Sequence, residues 1–157
     1  MFICYNEKMN IKDEIKKYKN ILENEKFKQL EKYIAHGNTS TLKHSISVAE
    51  LSLKIAKKLN LKINKEELIK SALLHDLFLY DWHHAPKEAG LHGFTHSKTA
   101  ADEAKKEFNI NDRVYSNILT HMWPLNITKI PKTKEGIIIC IADKICSLKE
   151  TFTRKQN

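Results

Sequence analysis

Apolar positions along this chain recur at three- and four-residue intervals, the spacing that places them on one face of an α-helix. Ile11, Ile15, Tyr18 and Leu22 form a first stripe, and Phe27, Leu30 and Ile34 begin a second after a shift of phase. His36-Gly37-Asn38-Thr39-Ser40 breaks the pattern and supplies cap residues. The spacing then predicts a helix from about Thr41 to Leu59, with Val48, Leu51, Ile55 and Leu59 on one face. Asn64 caps the next helix with Glu67 at the capping-box position, and Leu68, Ala72 and Leu79 form its stripe. The stretch from Asp81 to Thr95, with Pro86, Gly90 and Gly93, reads as a loop. Helices follow from Ser97 to Phe108 and from a cap at Asn111 to His121. Pro124 and Pro131 bracket another loop before a last helix from roughly Lys134 to Thr151. Within it, Ile137 to Ala142 fits a buried strand by periodicity alone. The unbroken continuation into Asp-Lys-Ile-Cys-Ser-Leu-Lys-Glu favours a helix buried on most of its circumference.

Helical phase also shows which polar residues share these apolar faces. His44 lies four before Val48 and seven before Leu51; His75 lies seven after Leu68 and three after Ala72. Asp76 falls four after Ala72, His96 four before Ala100, His121 three after Ile118, and Asp143 four after Ile139. Six polar residues from five helices thus face inward. A single inward histidine is commonly satisfied by one backbone carbonyl, and a single inward aspartate by a cap or a neighbouring amide. Six together would each need a separate structural reason. An ionised carboxylate is costly to bury unless a cation compensates it, and no Lys or Arg lies between Ser71 and Phe78. A divalent metal would compensate the charge and use the imidazoles as ligands.

Composition narrows the class. A length of 157 residues suits one compact domain, and 41% hydrophobic with 29% charged residues is an ordinary globular balance. Only 4 Gly and 3 Pro favour helices over a loop-rich β architecture, so the expected fold is all-α. No apolar run approaches the roughly 20 residues that span a bilayer. The opening Met1-Phe-Ile-Cys-Tyr is too short for a signal peptide, and Met9 offers a second start that would leave residues 1–8 optional. Cys4, Cys140 and Cys146 have no framework spacing and read as free thiols in a reducing cytoplasm. The net charge of +8 is mostly lysine spread over helix faces, with two arginines, Arg113 and Arg154. That distribution argues against a nucleic-acid groove but suits a field attracting phosphorylated small molecules.

The order His44, His75-Asp76, Asp143 resembles the HD-domain superfamily of metal-dependent phosphohydrolases, over about Ile34 to Phe152. The resemblance implies an all-α bundle with the metal site in its core, residues 1–157 forming a single domain. It implies that His44, His75, Asp76 and Asp143 bind one metal. His96 and His121 stand where dinuclear branches carry two extra histidines, which implies a second metal and makes Asp76 the bridge. The catalytic centre then lies at His75 and Asp76. The mixed imidazole and carboxylate set suits Fe or Mn first, with Co or Zn as further candidates. Cys140 and Cys146 flank Asp143 and read as core residues. His83, His84, Lys87 and His92 in the loop after the doublet are equally surface residues or contacts to phosphate and leaving group. His36 precedes the first ligand helix and can reach substrate; Trp123 either stacks on a base or plugs the core. The expected activity is hydrolysis of a phosphate ester or anhydride, with a nucleotide as the expected substrate. The superfamily also includes di-iron oxygenases, and a metal-containing binding module for an anionic partner is a further alternative.

Overall fold

The structure is a computed structural model that describes residues 10–81 and 92–153, the side chains of 92–94 excepted. Short helices α1 (Ile11–Lys16), α2 (Lys19–Leu22) and α3 (Glu25–Gln29) and a 3₁₀ turn (Leu30–Lys32) lead into a small antiparallel hairpin, β1 (Ile34–His36) and β2 (Thr39–Ser40). Five longer helices follow: α4 (Thr41–Lys58), α5 (Lys65–Leu74), α6 (His92–Phe108), α7 (Asp112–Thr120) and α8 (Lys134–Thr153). Helix α4 packs on α5 and α8, and α7 packs on α5, α6 and α8. The fold is all-α apart from the hairpin. No helix among the described residues is long and apolar enough to cross a membrane.

Local chemistry starts these helices where side-chain caps are available. The carboxamide oxygens of Asn24, Asn64 and Asn111 and the hydroxyl of Ser40 accept from backbone amides in the first turns of α3, α5, α7 and α4. The capping box at Asn64 is completed by a different residue from the one expected. Glu67 turns away to Arg113 Nε at 2.9 Å, and Glu135 accepts the Asn64 backbone amide at 2.7 Å. Buried Leu68, Ala72, Val48, Leu53, Ala100, Ala104, Ile118 and Ile139 then join the five helices into one core.

Five expectations change. The first stripe is not one helix, because Tyr18 leaves the helical region and Asn24 caps a new start. The second stripe ends at Leu30. Ile34 lies in β1 and is exposed, since Gly37 at φ 59° lets the chain fold back as a hairpin. Helix α6 starts at His92, so Gly93 is absorbed in its first turn, where a glycine costs only about 1 kcal/mol. Helix α5 stops at Leu74, which puts the His75-Asp76 pair in the turn that ends it and leaves Leu79 outside the helix. Helix α8 is a helix as expected, but it is not buried on most of its circumference. Ile137, Ile141, Leu148 and Phe152 form an exposed stripe along it.

Candidate metal centre

Five helices deliver one side chain or a pair each to the same point. His44 sits in the first turn of α4, four residues after the Ser40 cap. His75 and His121 occupy matching positions, as the C-cap residues of α5 and α7. There each ring reaches back along its own helix: His75 Nδ1 donates to Ala72 O at 2.8 Å and His121 Nδ1 to Ile118 O at 2.7 Å. A proton fixed on Nδ1 leaves the Nε2 lone pair free to act as a ligand. Both helix ends also bring the partial negative charge of their carbonyls toward the centre, which favours a cation. His96 enters from α6 and Asp143 from the middle of α8. All six residues predicted from helical phase are buried.

The carboxylate of Asp76 organises the cluster. Its Oδ2 faces His75 Nε2 at 3.4 Å and His44 Nε2 at 3.7 Å. Its Oδ1 faces His96 Nε2 at 3.4 Å and His121 Nε2 at 3.6 Å. On the first side, Asp143 Oδ1 lies 3.1 Å from His44 Nε2 and 3.7 Å from His75 Nε2. On the second, the Nε2 atoms of His96 and His121 are 3.0 Å apart. Potential ligand atoms of His44, His75 and Asp76 fall within 4.8 Å of one another, and so do those of Asp76, His96 and His121.

Opposed charges set the protonation of these groups. Burial disfavours the charged form of His44, but hydrogen bonds to Asp143 and Glu150 outweigh it and push its pKa up to about 10. His75 is also raised: burial opposes the proton, while Asp76 and Asp143 hold it. His121 is pushed down to about 3 by burial and by the neighbouring His75 and His96. Burial acts to raise Asp76 and Asp143, yet the surrounding imidazoles hold both carboxyls below the usual carboxylate range. Two anionic carboxylates therefore persist in a buried place, balanced by protons on histidine.

The cluster opens onto a cavity of about 390 Å³. Its other walls are Phe78, Met122 and Leu125 on the apolar side and His36, Lys144 and Ser147 on the polar side. Strand β1 brings His36 to this wall, with its ring 5.1 Å from that of His44. Lys144 Nζ is anchored to His121 O at 3.0 Å. Trp123 neither lines the cavity nor plugs the core: it is 38% exposed, and its neighbour Met122 takes the place by the site. His83, His84 and Lys87 lie outside the described residues, as does the side chain of His92, whose backbone opens α6. Cys140 and Cys146 are buried free thiols, as expected of core residues. Sequence reading missed Glu150, Lys144 and Ser147. All three follow Asp143 on α8 at i+7, i+1 and i+4, and the i+4 and i+7 positions share its face.

A family comparison now adds to this geometry. The chain belongs to the HD domain family, whose model matches residues 41–148. No curated protein and no solved structure matches it. The family is one of metal-dependent hydrolases, so a divalent metal is implied. The donor atoms fit one. His75 Nε2 and Asp76 Oδ1 are buried without a hydrogen-bond partner, although such atoms ordinarily have one. Two ligand atoms each about 2.1 Å from an ion lie about 3.0 Å apart at a right angle and about 3.4 Å apart at a tetrahedral one. The separations above, 3.0 to 3.7 Å, are near these values. The donors are nitrogen and carboxylate oxygen with no thiolate, a set suited to Mn, Fe, Co or Zn.

Proposed function

We propose that the protein is a dinuclear metal-dependent phosphohydrolase that cleaves a phosphate ester or anhydride, with a nucleotide as the substrate class. One observation carries this reading: the two oxygens of Asp76 face two separate groups of imidazole nitrogens. In this assignment His44, His75, Asp76 and Asp143 would hold one ion, and Asp76, His96 and His121 would hold the other. Iron or manganese is the preferred metal, because mixed imidazole and carboxylate ligands suit them better than magnesium. When bound, such ions polarise phosphoryl oxygens and make hydroxide available near neutral pH.

The chain's own residues account for the remaining requirements. The Ala72 and Ile118 carbonyls keep the Nδ1 protons of His75 and His121 in place, so both Nε2 lone pairs stay directed inward. Lys144, held by its bond to His121 O, presents an ammonium to the cavity wall where a phosphoryl oxygen enters. Phe78, Met122 and Leu125 offer apolar surface to the part of the substrate that carries the phosphate. A nucleoside satisfies that requirement by stacking or apolar contact. His36, on strand β1 packed against Lys144's helix, lines the same cavity.

Metal-stripped protein reloaded with Mn²⁺, Fe²⁺ or Co²⁺ and given a panel of nucleoside monophosphates, cyclic phosphodiesters and dinucleoside polyphosphates tests the reading. Release of phosphate or nucleotide with Mn²⁺ under anaerobic conditions is the expected result. Turnover that requires both iron and O₂ would replace hydrolysis with oxygenation.

A further inference from the structure

The three metal-facing imidazoles whose Nδ1 partners are described are not backed alike. His75 and His121 donate to neutral carbonyls three residues earlier in their own helices. His44 Nδ1 donates instead to the carboxylate of Glu150, at 2.9 Å, across 106 residues of sequence. The His44 side chain is fully buried and that of Glu150 is 12% exposed, so the bond is poorly screened by water. A carboxylate behind an imidazole raises the electron density on the opposite nitrogen and strengthens it as a ligand, which a carbonyl does more weakly.

The same face of α8 supports this arrangement. Asp143, Ser147 and Glu150 are spaced i, i+4 and i+7. Ser147 Oγ donates to Asp143 Oδ1 at 3.2 Å, and Glu150 orients His44. One helix face therefore supplies a carboxylate of the cluster, a hydrogen bond that orients that carboxylate, and the anion behind the opposite ligand. Around the position bounded by His44 and His75 stand Asp143 and Glu150 in addition to the shared Asp76. Around the position bounded by His96 and His121, Asp76 faces both rings, while Asp143 comes within 4.8 Å of the His121 ligand nitrogen from its place beside His75.

We infer that Glu150 is a positioning residue that makes the two metal positions unequal. Through His44 it makes the ion held by His44, His75, Asp76 and Asp143 the first to load and the last to leave. This inference rests on the dinuclear reading above. It concerns binding, and it can be read without turnover.

The test is titration of metal-stripped protein with Co²⁺ against a chromophoric chelator, in wild type, Glu150→Gln, His96→Ala and the His96→Ala/Glu150→Gln double variant. Glutamine keeps the shape, and its amide oxygen still accepts the His44 proton, but the charge is gone. The wild type should show two affinities. Glu150→Gln should weaken the tighter one about 10- to 100-fold and leave the weaker one in place. The His96→Ala background should keep only the tighter ion, and Glu150→Gln should weaken it by the same factor. Melting of the metal-free protein checks that α8 remains docked. Two wild-type affinities that Glu150→Gln leaves unchanged, or lowers equally, would overturn the role of Glu150 while preserving the dinuclear site. A wild type that binds a single ion or none would overturn both.

Discussion

The two sides of Asp76 contain the same residue type in opposite electrostatic states. On one side, His44 lies between Asp143 and Glu150 and its pKa is pushed up to about 10. On the other, His121 is backed by a carbonyl, crowded by His75 and His96, and pushed down to about 3. Burial acts in the same direction on both rings, against the proton. The carboxylates within reach decide the difference. An inward histidine is therefore not a fixed chemical unit. His75 is backed by a carbonyl like His121 and is nonetheless raised, so the balance of carboxylates and imidazoles around each ring acts together with the group behind its second nitrogen.

Several variants would break or sharpen this comparison. The largest effect is expected at Asp76, the residue common to both sides. Asp76→Ala should release both ions and lower kcat/KM by about 10³-fold or more, as loss of several kcal/mol of metal-derived stabilisation requires. Elemental analysis beside steady-state kinetics checks this, and full activity in the variant would refute the site assignment. His121→Ala removes a ligand from one side alone. It should leave one ion bound and lower kcat by about 10²-fold, read by metal content and single-turnover rate. If it emptied both positions, the two sides would not be separable. Lys144→Ala touches substrate and no ion in this account. A rise in KM of about tenfold with metal content unchanged is expected, the scale of one lost charge-assisted bond. Trp123→Ala is the smallest: its side chain is off the cavity, so kinetics within about twofold of wild type are expected, consistent with an exposed residue outside the site.

How far the sequence could be read differs between the two halves of the chain. In α4 to α8 the Asn and Ser caps and the inward polar residues agreed and all six cluster residues were legible from phase, although Leu59 of the expected α4 stripe lies past the helix end and is exposed, and Leu79 falls outside α5. Those helices are long enough for the pattern to repeat. Between residues 10 and 40 the stripes were equally regular, yet the chain turns at Tyr18, Asn24 and Gly37. Local capping and one positive φ outweighed a short periodic signal there. The doublet itself was read inside a helix, whereas it lies in the turn that ends α5, a position in which His75 can bond back to Ala72. Glu150 was invisible for a different reason. Next to Lys149 near the end of α8 it looks like any solvated carboxylate, and only the packing of α8 against α4 brings it to His44.

The central claim is that Asp76 joins two ions held by different histidines. Its most direct test is the number of Mn²⁺ ions bound per chain, by equilibrium dialysis and elemental analysis, in wild type and in His121→Ala. Two ions in the wild type and one in the variant are expected. One ion in both proteins would contradict the claim and return His96 and His121 to the role of substrate contacts.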